Sequence, residues 1–266
     1  MKLVVAAVQI APKLGDLEEN IRKTCIFIEN AVEQGAKLIV LPELSNSGYN
    51  FKNKQQALKC SEPIPGGPTV REWEKLAKRH SVWIVGGINE RYKEELYNSA
   101  VILGPKGYVG KYRKLHLFAT EKLLFKPGNI PLEVTKAGNF AFGVMICFDW
   151  AFPEVARVLT LEGAEIVCHP ANLVLPYGQK AMQIRSLENH IFTITANRIG
   201  KERDLTFTGQ SQITDVKGNI LAKGSKSKEE IVMAEINIEL ARNKKITPYN
   251  DLIKDRRPEY YSSLVR

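Results

Sequence analysis

Apolar and polar positions at the start of the chain alternate between a strand pattern and a helix pattern. The apolar run from Leu3 to Ile10 predicts a buried strand, and Asp16 then caps a predicted helix that ends at Gly35. The apolar positions of that helix recur at helical spacing: Ile21, Cys25, Ile28 and Val32. The run from Leu38 to Leu41 predicts a second buried strand. By itself, this strand–helix–strand opening indicates a three-layered α/β arrangement.

The same alternation continues along the rest of the chain, with glycine-rich hairpin turns in its later part. A second helix is predicted after the loop at 63–68, and Pro153 suits the first turn of another, because proline lacks only a donor that is unpaired there. Further strands are predicted at 82–88, 98–103, 140–146, 166–169, 192–196, 210–214 and 231–236, and a turn at 104–107 leads into one that ends near residue 113. No linker or repeat interrupts the pattern, so we predict a single domain over residues 1–266.

Length and composition fit an enzyme-sized domain. The chain has 266 residues, of which 44% are hydrophobic, enough for a sizeable core. The apolar start lacks the length and cleavage pattern of a signal peptide. No run approaches the roughly 20 apolar residues that a membrane span needs. We therefore expect a soluble, cytoplasmic protein with no membrane partner.

The net charge of +9 raises the question of nucleic-acid binding. The basic residues are scattered along the chain, which favours ordinary surface charges and no nucleic-acid partner. The four cysteines are far apart and show no C-x-x-C spacing: Cys25, Cys60, Cys147 and Cys168. Disulfides and structural zinc are therefore poor interpretations, and each cysteine has to be weighed alone.

Three stretches bring an ionisable residue to the end of a predicted strand. Leu-Ile-Val-Leu-Pro leads into Glu43, which we expect at the C-terminal edge of a sheet, where α/β enzymes bind their ligands. Lys114 lies among apolar residues, and a buried ammonium group needs a carboxylate partner such as Glu43 or Glu121. Another strand runs into Cys147 just before a helix, whose N-terminal partial charge favours a thiolate. Backbone N–H groups at such an elbow could also hold an oxyanion.

Each of these residues, taken alone, also has a plain interpretation. Glu43 could be an exposed loop carboxylate, and Lys114 could belong to a surface charge run or a phosphate-binding patch. Cys147 could be a small core residue at the end of a strand. That interpretation suits Cys25 and Cys168, which lie within apolar periodicity, better than it suits Cys147.

Together, in this order and at these separations, the three stretches resemble the Glu–Lys–Cys signature of the nitrilase, or carbon–nitrogen hydrolase, superfamily. The resemblance extends from Met1 to about Tyr261 and includes the stretches Val-Gln-Ile at 8–10, Tyr-Asn-Ser-Ala at 97–100, Phe-Lys-Pro-Gly at 125–128, His-Pro-Ala-Asn at 169–172 and Arg-Ser-Leu-Glu-Asn at 185–189. It implies a four-layer α-β-β-α sandwich, with two sheets face to face and helices outside. It also implies a homodimer or larger homo-oligomer, and no metal or organic cofactor.

The same resemblance implies a role for each candidate residue. Cys147 would be the nucleophile, Glu43 the general base and acid, and Lys114 the cationic stabiliser. Glu121 matches a second glutamate that many members have shortly after the lysine. The reaction would cleave the C–N bond of a small linear amide or nitrile through a cysteine thioester and release ammonia, without cleaving peptides.

The branch of the superfamily, and so the substrate, stays open at this point. Many nitrilases have Trp-Glu after the cysteine, whereas Phe148-Asp149 here favours amide-type substrates, with an N-carbamoyl amidase as the alternative. The positive net charge modestly favours substrates that carry a carboxylate. Residues near the triad in sequence are candidate pocket walls, although aromatic ones could equally serve packing: Tyr49, Phe51, Phe148, Trp150 and Asn172.

The histidines and the basic composition point to two other classes of function. A Cys–His hydrolase would have partners available in four histidines: His80, His116, His169 and His190. However, Met145 and Asp149 stand where a nucleophile elbow has glycines, so we interpret the histidines as structural or exposed. A non-catalytic basic binding protein is the other alternative, but no aromatic-and-basic RNA motif supports it.

The C-terminal segment 248–266 has an unusual composition. It combines charges with apolar and aromatic residues, yet has too little periodicity for an independent element: Tyr249, Leu252, Ile253, Tyr260 and Tyr261. A disordered tail usually has fewer aromatic residues. The family resemblance implies that this tail packs at the dimer interface.

Overall fold

The computed structural model describes residues 1–265, and the alternation predicted from the sequence appears in it. The strands are β1 (Lys2–Gln9), β2 (Leu38–Val40), β3 (Trp83–Tyr92), β4 (Glu95–Gly104), β5 (Gly107–Arg113), β6 (Val134–Ala137), β7 (Phe140–Val144), β8 (Ile166–Ala171), β9 (Phe192–Asn197), β10 (Lys201–Glu202), β11 (Leu205–Thr206), β12 (Gln212–Thr214), β13 (Ile220–Lys223) and β14 (Glu230–Asn237). The helices are α1 (Leu17–Glu33), α2 (Lys54–Lys59), α3 (Pro68–His80), α4 (Pro153–Leu161), α5 (Gly178–Asn189) and α6 (Glu239–Arg242). Short 3₁₀ turns span Ala119–Leu123, Cys147–Ala151, Pro258–Tyr260 and Ser262–Val265.

Two six-stranded sheets share one plan. The first has the order β14-β1-β2-β3-β4-β5 and the second the order β13-β12-β9-β8-β7-β6. In each sheet the three central strands are parallel, β1 to β3 in one and β7 to β9 in the other. Antiparallel strands flank both centres. The C-terminal ends of the parallel strands are where α/β folds place their sites.

Apolar side chains divide the molecule into four layers. The largest core cluster lies between the sheets, with Val5, Val40 and Val85 from one and Phe142 and Ile194 from the other. A second cluster joins the outer face of the first sheet to α1 and α3, and another joins the second sheet to α4 and α5. The predicted four-layer sandwich is confirmed. The three-layered arrangement is wrong, because the opening segment describes only one sheet and its helices.

Several element ends follow from local chemistry. Asp16 caps α1, with Oδ1 accepting from the N–H of Glu19 at 3.2 Å, and Gly35 follows the helix at a φ of 91°. Pro153 lies in the first turn of α4 as predicted. The sequence pattern missed α2 and α5. Helix α5 buries Met182 but exposes Ile184, so its apolar positions do not form one stripe.

Two further features limit what the chain can bind. None of the helices within residues 1–265 is both long and apolar enough to cross a membrane. Over the same residues, histidine, cysteine and acidic side chains form no group of three that could hold a metal ion.

Candidate active site

The ends of four strands bring the predicted catalytic residues to one place. Glu43 follows β2 and Cys147 follows β7, while Asn172 comes directly after β8 and Lys114 directly after β5. Asn172 ties the two sheets together, because its amide donates to the backbone carbonyl of Glu43 at 2.9 Å. The site therefore lies between the sheets, at the C-terminal ends of their parallel strands.

The loop that carries Glu43 is pressed against β3 at Gly87. The N–H of Gly87 donates to the carbonyl of Pro42 at 3.1 Å, and its carbonyl accepts from the N–H of Ser45 at 3.0 Å. A Cβ at Gly87 would lie 2.5 Å from the Cα of Glu43 and 2.4 Å from the backbone nitrogen of Leu44. Only glycine permits this approach, so Gly87 fixes the position of the backbone that carries the Glu43 side chain.

Lys114 bridges two carboxylates in a site that is shielded from solvent. Its Nζ lies 2.7 Å from Oε1 of Glu43 and 2.8 Å from Oε1 of Glu121, and all three side chains are buried. Burial alone would lower the pKa of Lys114, but the charges of Glu121 and Glu43 outweigh it and hold the pKa above its ordinary value. The ammonium group is therefore kept charged, as its predicted role requires.

The two oxygens of Glu43 have different surroundings. Oε1 accepts from Lys114 and, at 2.6 Å, from the side-chain amide of Asn98. Oε2 is buried and has no hydrogen-bond partner within the described residues. A buried carboxylate oxygen without a donor is costly unless a ligand or reactant supplies one. Oε2 is thus the oxygen available to take up a proton.

Glu121, in contrast, has partners on both oxygens. Besides Lys114, its Oε1 accepts from the Tyr49 hydroxyl at 2.6 Å, and its Oε2 accepts from the N–H of Phe118 at 3.1 Å. Burial raises the pKa of Glu121 to about 7, and the charge of Glu43 adds to the effect while Lys114 opposes it. One ammonium shared by two dry carboxylates leaves an excess negative charge, which disfavours ionisation of one of them.

Cys147 begins a 3₁₀ turn in a strained conformation. Its φ is 42°, in the left-handed region, which costs a non-glycine residue about 1–3 kcal/mol unless its surroundings enforce it. Burial, and next the charge of Glu43, raises the pKa of the thiol well above its ordinary value, although Lys114 acts in the opposite direction. Burial therefore favours the neutral thiol, against the thiolate that the N-terminal partial charge of the turn favours.

Asp149 fixes the turn from the other side. Its Oδ2 accepts from the N–H of Ile146 at 2.9 Å and from the hydroxyl of Tyr112 at 2.8 Å. Its Oδ1 accepts from the N–H of His116 at 3.1 Å and lies 2.8 Å from Nδ1 of the same residue. The aspartate that replaces a glycine in the elbow pattern thus organises the turn by side-chain hydrogen bonds instead of by backbone freedom.

None of the four histidines hydrogen-bonds to the Cys147 thiol within residues 1–265. His116 pairs with Asp149, and His169 approaches the backbone carbonyl of Cys147 rather than Sγ. His190 lies 2.6 Å from the carbonyl of Asn243, remote from the site. The geometry gives no support to a Cys–His hydrolase.

A small, mostly apolar pocket opens beside Cys147. About 10 Å³ is free there, roughly one water molecule. Three of the predicted pocket residues line it: Phe148, Trp150 and Asn172. The other lining side chains were not predicted: Phe118, Leu173, Val174 and Leu175. Leu173, Val174 and Leu175 directly follow the His-Pro-Ala-Asn stretch, and this position is the sequence signal that could have identified them.

The other two candidate wall residues, Tyr49 and Phe51, do not line this pocket. Phe51 is buried against Phe125, with ring centroids 6.4 Å apart, and does not line the pocket. Proximity in sequence to Glu43 misled the prediction, because the chain turns away at the loop after that residue. Tyr49 is also buried, and its hydroxyl holds Glu121.

Comparison with known proteins assigns the chain to a family that this fold and site define. The family model for carbon-nitrogen hydrolases matches residues 4–245, and the chain belongs to that family. A nitrilase of Pyrococcus abyssi is 48% identical over 257 residues, covering 97% of this chain and 98% of that protein. A citrullinase of Francisella tularensis is 32% identical over 284 residues, covering 98% of each. A crystal structure of a carbon-nitrogen hydrolase from Helicobacter pylori has a TM-score of 0.91 at 26% identity, covering 100% of this chain and 99% of that one. The predicted membership of the nitrilase superfamily is confirmed, and the protein is a hydrolase of that class.

Proposed function

We propose that this protein hydrolyses a small uncharged amide or nitrile, with Cys147 as nucleophile, Glu43 as general base and acid, and Lys114 as cationic stabiliser. One observation carries the proposal. Oε1 of Glu43 is occupied by Lys114 and Asn98, while Oε2 lies buried without a partner in the described part of the chain. A neutral thiol with a raised pKa needs such a base before it can attack.

In the first step the Cys147 proton passes to Oε2 of Glu43 as sulfur bonds to the carbonyl carbon. Negative charge develops on the carbonyl oxygen, and the buried ammonium of Lys114 stabilises it in a medium where charges act strongly. Glu43 then returns the proton to the leaving nitrogen, the C–N bond breaks, and ammonia departs. The acyl group remains on Cys147 as a thioester.

In the second step water hydrolyses the thioester. Glu43 takes a proton from water as its oxygen bonds to the acyl carbon, and returns that proton to the sulfur as the C–S bond breaks. A nitrile would first add the thiol to give a thioimidate, and attack of water on it would release ammonia and leave the same thioester. Both substrates thus use the same residues.

Glu121 supports the reaction without exchanging protons with the substrate. Both of its oxygens already accept hydrogen bonds, from Lys114, Tyr49 and Phe118. A carboxylate whose two oxygens both accept hydrogen bonds from the protein holds the ammonium in place, whereas Oε2 of Glu43 has no such donor within residues 1–265. We therefore assign Glu121 to the positioning of Lys114.

The pocket favours a compact apolar acyl group. Its lining residues within the described chain are uncharged, so no guanidinium or ammonium on the wall would bind a substrate carboxylate. The positive net charge, distributed over the surface, is a weaker guide than this wall. Asn172 has a buried Oδ1 without a partner in residues 1–265, which suits it to accept a hydrogen bond from a substrate amide.

Hydrolysis of a carbamoyl compound is the second candidate, favoured by the relative named citrullinase. An ammonia-release screen separates the two. Propionamide and propionitrile should give ammonia, whereas citrulline, an N-carbamoyl amine and a peptide digest should give none or much less. Activity on carbamoyl compounds alone would favour the second candidate, and peptide cleavage without ammonia would contradict both.

We further propose that the single domain assembles as a homodimer through its C-terminal tail. Four large side chains of the tail are exposed in the isolated chain: Tyr249 at 92%, Tyr260 at 70%, Leu264 at 65% and Tyr261 at 38%. Apolar side chains on α4 and α5 are also exposed: Val158, Leu161, Ile184 and Leu187. Exposed apolar groups of this extent support burial against a partner chain. Cytoplasmic location stays a prediction.

A further inference from the structure

We infer that His169 is a positioning residue that holds the backbone of Cys147 in its reactive conformation. This inference rests on the proposed role of Cys147 as nucleophile. His169 lies in β8 of the second sheet and is fully buried. Its Nε2 lies 2.9 Å from the carbonyl oxygen of Cys147.

The protonation state of His169 follows from its partners. A carbonyl oxygen can only accept a hydrogen bond, so Nε2 carries the proton and donates. Nδ1, which lies 3.2 Å from Oγ1 of Thr195, is then the acceptor for that hydroxyl. Burial lowers the pKa of His169 to about 4, so the imidazole is neutral near pH 7. It is a fixed donor and has no proton to exchange in catalysis.

The donor acts on a residue whose backbone conformation needs support. Cys147 has a φ of 42°, and left-handed conformations of residues with a Cβ persist only where neighbours enforce them. The N–H of Asp149 donates to the carbonyl of Ile146 at 3.0 Å, in the peptide unit before Cys147, and His169 anchors the carbonyl of the unit that follows. The two contacts hold the peptide units on both sides of the proposed nucleophile.

Holding the carbonyl fixes the direction of the sulfur. If the turn relaxed towards ordinary φ values, Sγ would swing away from Oε2 of Glu43, which is itself held by Lys114 and Asn98. Misplacement of a reacting atom by about 1 Å costs on the order of 100-fold in rate. Loss of the His169 donor should therefore reduce the chemical step rather than substrate binding.

Two substitutions of similar polarity separate this role from simple packing. In His169→Gln the amide nitrogen can occupy the place of Nε2 and still donate to Cys147. In His169→Asn the side chain is one bond shorter, so its nitrogen reaches only the place of Nδ1, near Thr195. We expect kcat of the Asn variant to fall about 100-fold with KM little changed, and the Gln variant to retain activity within about tenfold of the original.

The rate of iodoacetamide labelling at Cys147, followed by mass spectrometry, provides a readout that does not require turnover. It should fall in the Asn variant and recover in the Gln variant, while the limbs of the pH–rate profile keep their positions in both. The inference would be overturned if kcat and labelling fell equally in the two variants, or if either variant lost a limb of the pH–rate profile. It would also be overturned if neither variant folded. If labelling of Cys147 in the original protein left activity intact, the proposed function itself would be wrong, whatever His169 does.

Discussion

The side-chain amide of Asn98 donates a 2.6 Å hydrogen bond to Oε1 of Glu43, the same oxygen that accepts from Lys114. The backbone carbonyl of Asn98 also accepts from the N–H of Lys114 at 2.8 Å. One residue of β4 thus sets both the rotamer of Glu43 and the place where Lys114 leaves its strand. In the proposed mechanism this arrangement leaves Oε2 of Glu43 free to take the thiol proton.

Asn98→Ala should lower kcat by about 10- to 100-fold, the range for losing a hydrogen bond to a charged group. The adjacent Asn89, which pairs with Asn98 across the sheet, provides a matched control. Its side chain donates to the carbonyl of Ala57, away from the site. Asn89→Ala should lower the thermal midpoint while leaving kcat close to normal. Equal kcat losses in the two variants would argue that Asn98 is needed only for folding.

The pH dependence of activity should reflect Glu121. Its pKa is raised to about 7, so its carboxylate becomes protonated as the pH falls through that value and loosens its hold on Lys114. We therefore expect kcat/KM to fall as the pH drops below about 7. Glu121→Gln removes this titration, so its activity should be lower at high pH but its acidic limb should lie at lower pH. An acidic limb at the same pH in both proteins would assign the limb to another group.

The sequence pointed to Glu43, Lys114 and Cys147 as candidates because each stands at the end of a predicted strand and the ordered set resembles the family signature. That signal is local, and the sheets then bring the three strand ends together. Asn98 and His169 belonged to stretches that carried the family resemblance, yet neither was given a role. Their function depends on which atom they face across the sheets, and a one-dimensional pattern contains no such information.

The same limit applies to the pocket walls. Phe51 is near Glu43 in sequence, but it packs on Phe125 in the interior, whereas Tyr49 reaches the site and holds Glu121. The opening strands showed one sheet, and only the resemblance supplied the second. The partial charge of the turn after Cys147 was visible in the sequence, whereas the burial that raises the thiol pKa depends on the tertiary fold, which no local pattern reveals.

Phe148 should control the length of acyl chain that the pocket accepts. It lines the small pocket at Cys147 and also a neighbouring apolar cleft of about 390 Å³. Phe148→Ala should join the two, and kcat/KM for hexanamide relative to propionamide should rise by about fourfold per methylene that enters the cleft. Phe152 lines only the cleft, so Phe152→Ala should leave the ratio unchanged. An unchanged ratio in the Phe148 variant would show that the bound acyl chain extends from Cys147 in a direction other than the cleft.

The C-terminal tail should contribute to assembly. A chain ending at Lys245 lacks the exposed tyrosines at 249, 260 and 261, and light scattering should show a shift from dimer to monomer or a lower dimer stability. Replacing Tyr249 and Tyr260 by serine in the full chain controls for loss of length, and should weaken the dimer in the same direction. A full-strength dimer in both would place the interface elsewhere, on the exposed faces of α4 and α5.

The most direct test of the central claim is to trap the acyl group during turnover. Protein quenched in acid while hydrolysing propionamide, then digested and analysed by mass spectrometry, should carry a propionyl group on the peptide that contains Cys147. Cys147→Ala should carry none and show no turnover while keeping its circular dichroism spectrum, and Cys25→Ala should behave like the original protein. A propionyl group on another residue, or ammonia release by Cys147→Ala, would contradict the account.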